Sequence, residues 1–319
     1  MRWPAVVVFC SLGALLALAA SSVKERRGSF KVPLWVEPKA EKQELNLGPK
    51  DLNARLQGEP AKVLAVSRPG DDLMVLVVFD LTEYLELADK AKDALVERIE
   101  QLPERSYVGL LRSQDGLKVL LDPTRDRAAL AAAIRNVPIS GKAGLLESVE
   151  TMETIADSIL SKASIRVAVF YVTDSDVGNY REDFTNPVIN WSDSHDLSRR
   201  FPEQLIQEKI AKMEARLAGS QAPLFIVHLN YRSDRLNEAY QNGLKRLAEV
   251  TGGSAVFCRS IAEIPDSIGK TLATIDAHYS VSLEAPERAG KSVEVQLELA
   301  KSGNGNGRNL TYRTRFVFK

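Results

Sequence analysis

The sequence predicts an α/β fold: a doubly wound, mostly parallel sheet with helices on both faces, plus a small β-unit built from the N- and C-terminal segments. Three observations predict it. Apolar strands alternate with amphipathic helices through the middle of the chain, the pattern of a parallel sheet covered on both sides. The run Leu73-Met74-Val75-Leu76-Val77-Val78-Phe79 is almost continuously apolar and rich in β-branched residues, as a strand buried on both faces requires. Outside this core the texture changes to strands without intervening helices.

In chain order, Met1-Arg2-Trp3-Pro4 precedes an apolar run from Ala5 to Ala20, followed by Lys24-Glu25-Arg26-Arg27. A basic start, a short apolar stretch and a small-residue cleavage site at Ala17-Leu18-Ala19 predict a secretory signal peptide over residues 1–22. The run is short for a spanning helix, and an uncleaved membrane anchor is the alternative reading. Phe9 stands where a lipoprotein signal needs a small residue, so Cys10 is not expected to carry lipid. Residues 23–70 are expected to form an N-terminal β segment and linker. Its strands run from Phe30 to Glu37, Leu52 to Gln57 and Ala61 to Ser67, with a turn at Gly58-Glu59-Pro60 and a linker from Glu41 to Gly48.

The α/β domain is expected over 71–275. After the central strand, apolar residues at helical spacing mark a helix from Leu85 to Leu102, stopped by Pro103. Ser106 to Arg112 and Leu117 to Leu121 are two strands around Gln114-Asp115-Gly116, a hairpin signal. Helices follow at Asp126 to Arg135 and Leu145 to Leu160, then a buried strand at Ile165 to Val172. Gly178 to Ser198 is long for a connection inside a compact domain, and such loops are usually functional or mobile. Then come a helix at Phe201 to Leu217, a strand at Pro223 to Leu229, a helix at Arg235 to Val250, a strand at Ser254 to Cys258 and a helix at Ile261 to Ile275. Residues 276–319 supply strands at Tyr279 to Glu284, Ser292 to Leu299 and Leu310 to Phe318. These should pair with the N-terminal segment, because lone hairpins are marginal in water.

Composition narrows the function. Acidic and basic residues number 42 each with no long block of one sign, which argues against nucleic acid or an anionic membrane as partner. His195, His228 and His278 lack metal-ligand spacing and are expected to be structural or surface residues. Once the leader is removed, Cys258 is the single cysteine, a small filler in a buried strand. The sequons at Asn190 and Asn309 are not expected to be modified.

Two strand ends carry a resemblance. Val78-Phe79-Asp80-Leu81-Thr82-Glu83-Tyr84 closes the central strand, and Val172-Thr173-Asp174-Ser175-Asp176 closes a later one. Together they resemble the von Willebrand factor type A domain, a Rossmann-like module whose first strand ends in Asp-x-Ser-x-Ser and a later strand in Thr-Asp-Gly or Thr-Asp-Ser. Ser140-Gly141-Lys142-Ala143-Gly144-Leu145 resembles the loop that supplies a threonine in that family. Leu52 to Val66, Thr251-Gly252-Gly253-Ser254-Ala255 and His278-Tyr279-Ser280-Val281 are similar to a bacterial subgroup common in acidobacterial proteomes, so the resemblance spans most of the chain.

The resemblance implies a metal-ion-dependent adhesion site, in which hydroxyls and carboxylates hold a divalent cation and an acidic residue of a protein partner completes its shell. A cation such as magnesium needs about six oxygens and keeps several waters. Carried over residue by residue, the ligands are Asp80, Thr82 and Asp174. Tyr84 departs from the second serine and Ala143 from the threonine, so a retained site would be degenerate and bind magnesium weakly, with help from Glu83, Ser140, Ser175 or Asp176. The other reading is that Asp80 and Asp174 cap loops or helix starts at a site that has lost its ion.

The function expected is therefore a protein-binding module exported to the periplasm or beyond, with no membrane contact apart from the leader if it is uncleaved. A metal-free scaffold in an envelope assembly is the first alternative. An enzyme is the remote one: an aspartate ending a central strand also opens haloacid dehalogenase-type phosphatases, but those carry a second aspartate two residues on, where this chain has Thr82.

Overall fold

A computed structural model describes residues 28–37, 45–180, 202–285, 292–300 and 308–318. The expected signal peptide, the larger part of the Gly178 to Ser198 loop with His195, the sequon at Asn190 and the first residues of the expected linker lie outside the described residues. The N-terminal segment supplies β1 (Ser29–Val36), β2 (Leu52–Leu56), β3 (Glu59–Ala61) and β4 (Val63–Ser67). The middle alternates β5 (Leu73–Asp80), α1 (Leu85–Glu100), β6 (Ser106–Arg112), β7 (Lys118–Thr124), α2 (Arg127–Arg135), α3 (Leu145–Lys162), β8 (Arg166–Thr173), α4 (Pro202–Leu217), β9 (Leu224–His228), α5 (Arg235–Thr251), β10 (Ser254–Phe257) and α6 (Ile264–Asp276). Then follow β11 (Tyr279–Glu284), β12 (Ser292–Leu299), β13 (Leu310–Tyr312) and β14 (Arg315–Val317).

The middle strands form one six-stranded sheet in the order β10-β9-β8-β5-β6-β7. Helical crossovers return the chain to the same edge and keep neighbouring strands parallel, whereas the tight turn at Asp115-Gly116, both at positive φ, makes β7 antiparallel. Side chains along β5 alternate between the faces. Leu73, Val75, Val77 and Phe79 pack with α1, α2 and α6, while Leu76 and Val78 pack with α3, α4 and α5. Every residue of β8 is buried. Since β5 and β8 are parallel and in register from Leu73 with Arg166 to Asp80 with Thr173, the loops that follow them emerge side by side. No helix among the described residues is long and apolar enough to cross a membrane.

The terminal strands pair into the expected β-unit, which consists of two sheets. The antiparallel sheets β13-β1-β11-β4 and β14-β12-β2-β3 enclose a shared core that includes Phe30, Val32, Leu34, Val281, Val295 and Phe316. Three details differ from expectation. The turn after β2 is Gln57-Gly58, with φ of 54° and 82°, and Pro60 lies in β3. That edge strand tolerates a residue without an N–H. The end of the expected linker is not a spacer, for Leu45 and Leu47 alternate into the β core and the Leu45 carbonyl accepts the Tyr279 hydroxyl at 2.7 Å. Finally, the last strand divides into β13 and β14, one in each sheet, because Arg313 between them turns inward and its guanidinium donates to the carbonyls of Ala218, Ser220 and Arg315.

Specific polar contacts seat this β-unit on the other layer. The Trp35 indole donates to the Thr274 carbonyl at 2.8 Å, and the Lys31 ammonium donates to the Ala163 carbonyl at 2.7 Å. At the start of β8 the fully buried Arg166 guanidinium donates to the carbonyls of Asp276, His278 and Asp71. Burial pushes the His278 imidazole down to about 3.

Beside Arg313 lie two carboxyls on α3. Glu153 is buried, with neither oxygen hydrogen-bonded, and burial holds its carboxyl well above the usual range. Asp157 is raised to about 6 by burial, against the pull of the Gln221 and Ala222 N–H groups and Arg313. A carboxyl whose folded value exceeds its unfolded value takes up a proton on folding, so its contribution to stability falls as pH rises from about 4 to 6. Asp157→Asn should remove that slope. Thermal melts from pH 4 to 7.5 are expected to show the variant gaining on the wild type as pH rises, by roughly 2 kcal/mol across the window. Parallel curves for the two proteins would contradict the assignment.

Candidate functional site

The site is built at the edge of the sheet where its parallel strands end, the edge at which open α/β sheets bind ligands. Asp80 is the last residue of β5 and is completely buried. Its Oδ1 accepts the Ser113 hydroxyl at 2.9 Å and the Gly144 N–H at 2.8 Å, and its Oδ2 accepts the Thr173 hydroxyl at 3.2 Å. Burial raises the Asp80 carboxyl and the neighbouring Asp174 adds to the rise, while the Gly144 and Ser113 donors oppose it. Gly144 is essential to this contact: a Cβ there would stand 1.9 Å from the Ser113 carbonyl oxygen, so no other residue fits without moving the backbone.

Asp174, one residue beyond β8, is buried as well and gathers the loop between β5 and α1. Its Oδ1 accepts the Thr82 N–H at 2.6 Å and the Thr82 hydroxyl at 3.0 Å, while its Oδ2 accepts the N–H groups of Glu83 at 3.2 Å and Tyr84 at 3.0 Å. One carboxylate thus satisfies three backbone donors at the entry to α1, where negative charge is also favoured by the helix dipole. The structure therefore brings Asp80, Thr82 and Asp174 together, as the two aligned strand ends require.

Beyond them runs a polar layer in which Ser175 and Asp176, named from the sequence as possible helpers of an ion site, are joined by Thr173, Tyr240 and Arg232, which were not. The Thr173 and Ser175 hydroxyls are 2.7 Å apart, and the Ser175 hydroxyl lies 3.1 Å from the Tyr240 hydroxyl on α5. His228 Nε2 is 2.8 Å from the Ser175 carbonyl, and its Nδ1 accepts the Asn230 N–H at 3.3 Å. Nε2 therefore carries the proton in a neutral ring, consistent with burial lowering the imidazole's affinity for a second proton. Asp176 Oδ1 accepts the N–H groups of Gly178 and Asn179, and its Oδ2 stands 2.9 Å from Arg232 Nη2. Arg232 also donates to the Tyr84 hydroxyl. Ser113 and Gln114 were legible only as a turn after β6. Arg232 follows β9 with no motif to mark it.

A hard divalent cation needs several converging oxygens with free lone pairs. Among the site residues, Asp80 accepts three hydrogen bonds and Asp174 four, the Thr82 hydroxyl is turned to Asp174, the Tyr84 hydroxyl to Arg232, and Ala143 offers no side-chain oxygen. Among the described residues no group of three or more His, Cys, Asp or Glu is placed to hold a metal. As arranged, the donor set does not fit such an ion. Nor does it pair a nucleophile with a base: Asp80 is sealed by its donors, and burial pushes the Cys258 thiol up, away from the reactive thiolate. Beside Ala143 lies an open cleft of 380 Å³, lined by Ser113, Asp115, Leu117, Glu147 and Thr151 among others.

Removing the Asp174 carboxylate should orphan three backbone N–H groups. Asp174→Ala is expected to cost about 3 kcal/mol in urea unfolding, from the desolvation penalty of buried unpaired donors. A loss below about 1 kcal/mol, the value of an ordinary surface substitution or a single weak bond, would show that the loop stands without it.

No family model matches the chain, and no curated protein matches it. Solved structures do. A von Willebrand factor type A protein from Catenulispora acidiphila matches at 12% identity over 92% of this chain and 75% of its own, with a TM-score of 0.43. The vWF domain of the type V pili tip protein Mfa5 from Porphyromonas gingivalis matches at 14% identity over 65% and 95%, with a TM-score of 0.41. The PilB minor pilin from Streptococcus sanguinis matches at 11% identity over 66% and 63%, with a TM-score of 0.45. Likenesses this distant say nothing of activity or partner, and the chain's own topology carries the assignment. Strand order, an antiparallel edge strand and helices on both faces make the α/β layer the doubly wound, mostly parallel sheet that the resemblance to the von Willebrand factor type A domain implies.

Proposed function

We propose that this chain is an exported protein-binding module that docks a protein partner through the rim of loops at the ends of β5, β8 and β9. The observation that carries this reading is the way the rim is held. Two buried carboxylates and their donors fix the loop backbones, and the outward positions are left to groups suited to recognition, among them Glu83, Tyr84, Asn179 and Arg232. A pre-set surface of this kind loses little freedom on docking, which favours affinity. The burial of Asp80 weighs against phosphoryl transfer, because a nucleophilic carboxylate must reach phosphorus. Export rests on the leader at 1–22, and the protein then acts outside the cytoplasm, in the periplasm or as a secreted protein.

A second reading, a scaffold within an envelope assembly, is favoured by one feature. Val119 on the edge strand β7 is 60% exposed, an apolar side chain beside a strand edge that no described strand pairs.

The test immobilises the full-length protein with envelope extract, in magnesium and in chelator. The binding reading expects the same partner in both conditions, lost with Glu83→Lys at the rim and retained with Glu104→Lys at the opposite edge of the sheet. Equal behaviour of the two variants contradicts rim docking, and loss with Val119→Lys alone transfers the contact to β7. Hydrolysis of a generic phosphomonoester that disappears in Asp80→Asn would contradict a binding-only role. Amino-terminal sequencing of protein recovered outside the cytoplasm should begin near Val23, and protein retained in the cytoplasm would contradict export.

A further inference from the structure

Three loops that carry carboxylates meet at the rim: residues 81–84 after β5, residues 174–180 after β8, and residues 229–234 after β9. Glu83, Asp174 and Asp176 lie on the first two, and like charges gathered in a partly buried site call for a counter-charge. The third loop brings one. Arg232 Nη2 is 2.9 Å from Asp176 Oδ2, the same guanidinium donates to the Tyr84 hydroxyl, and its Cζ lies 5.8 Å from the centre of the Tyr84 ring. The arginine is not on a freely swinging tether. Its backbone N–H donates to Gln241 Oε1 at 3.0 Å and its carbonyl accepts from Gln241 Nε2 at 2.7 Å, and Gln241 is buried on α5. The Asp176 partner is only 11% exposed, so the pair is less screened than an ordinary surface ion pair.

The identity of residue 84 gains a physical reason from this arrangement. A serine there would keep its hydroxyl beside the backbone, whereas the tyrosine ring carries the hydroxyl out to the β9 loop, where Arg232 waits. Tyr84 and Arg232 act as one unit joining the first loop to the third, and Asp176 joins the second.

We infer that Arg232 is the resident cation of the rim, a guanidinium that cross-links the three loops through Asp176 and Tyr84 and lets the rim form without a divalent ion. The guanidinium suits this task because it is planar, permanently charged and able to donate in two directions at once. Its fixed positive charge also repels a metal ion approaching the same loops.

The test needs no partner, so its failure is separable from a failure of the docking proposal. Full-length protein is melted in excess chelator and in millimolar magnesium or manganese chloride at matched ionic strength, and free manganese is followed by its paramagnetic resonance signal. The wild type is expected to melt at one temperature in all three and to leave the manganese signal undiminished. Arg232→Gln, which removes the charge, should lower the melting temperature in chelator by roughly 2–4 °C. Arg232→Lys, which keeps the charge beside Asp176 but loses the fork, should fall between. Should Arg232→Gln fail to fold, Tyr84→Phe removes only the hydroxyl and is expected to give a smaller drop, again without an ion response. An ion-dependent rise in wild-type melting overturns the inference, since a ligand bound only by the folded state must stabilise it. So does an Arg232→Gln, or in its place a Tyr84→Phe, that melts with the wild type, and so do equal losses in Arg232→Gln and Arg232→Lys.

Discussion

Two carboxylates buried at neighbouring strand ends set the conditions for everything else at the rim. Taking such a group out of water costs several kcal/mol, and the cost is tolerable only where donors surround it. Asp174 meets the condition with three backbone N–H groups and a hydroxyl, and Asp80 with two hydroxyls and the Gly144 N–H. Each requirement runs in both directions, because a loop held by its own N–H groups is fixed in shape whatever its outward side chains are. The first turn of α1, the loop before α3 and the turn after β6 are all positioned by this pair.

The rest of the chain makes that edge the available one. At the opposite edge the β-unit is fastened to the start of β8 by Arg166 and to α6 by Trp35, so backbone groups there are occupied within the chain. The two polar centres are built on opposite principles. Arg166 is a buried cation held by three backbone carbonyls, suited to joining two layers. The rim places anions inside, over backbone donors, and the Arg232 guanidinium nearer the surface. Packing of α1, α2 and α6 on one face and α3, α4 and α5 on the other leaves the strand ends as the place where loops from three successive strands converge.

Much of this was legible in the sequence, and the parts that were not share a cause. The buried strands β5 and β8 declare themselves by unbroken apolar runs, and the helices by apolar residues at helical spacing. Placing both strands in one parallel sheet puts Asp80 and Asp174 at the same edge, and the direct pairing of β5 with β8 brings them together. What the pattern could not supply was the direction of individual hydrogen bonds. Ser113, Thr173 and Arg232 are ordinary residue types with no periodicity, and only the folded backbone aims them at Asp80 and Asp176. The division of the terminal strands was hidden for a similar reason: alternation fixes which residues face inward but not which of two sheets each strand joins. Arg313, a charged residue in the middle of an apparent strand, was the available sign of the break, and Leu45 and Leu47 at alternate positions were the sign that the expected linker was structural.

The central claim, that buried carboxylates hold the rim loops without a divalent ion, is tested most directly by amide hydrogen exchange in the full-length protein treated with chelator. The account predicts slow exchange at Thr82, Glu83, Tyr84 and Gly144, comparable with the adjoining ends of β5 and α3, with no change on adding magnesium. Exchange at those four amides as fast as at an open loop, or protection that develops only with the ion, would contradict it.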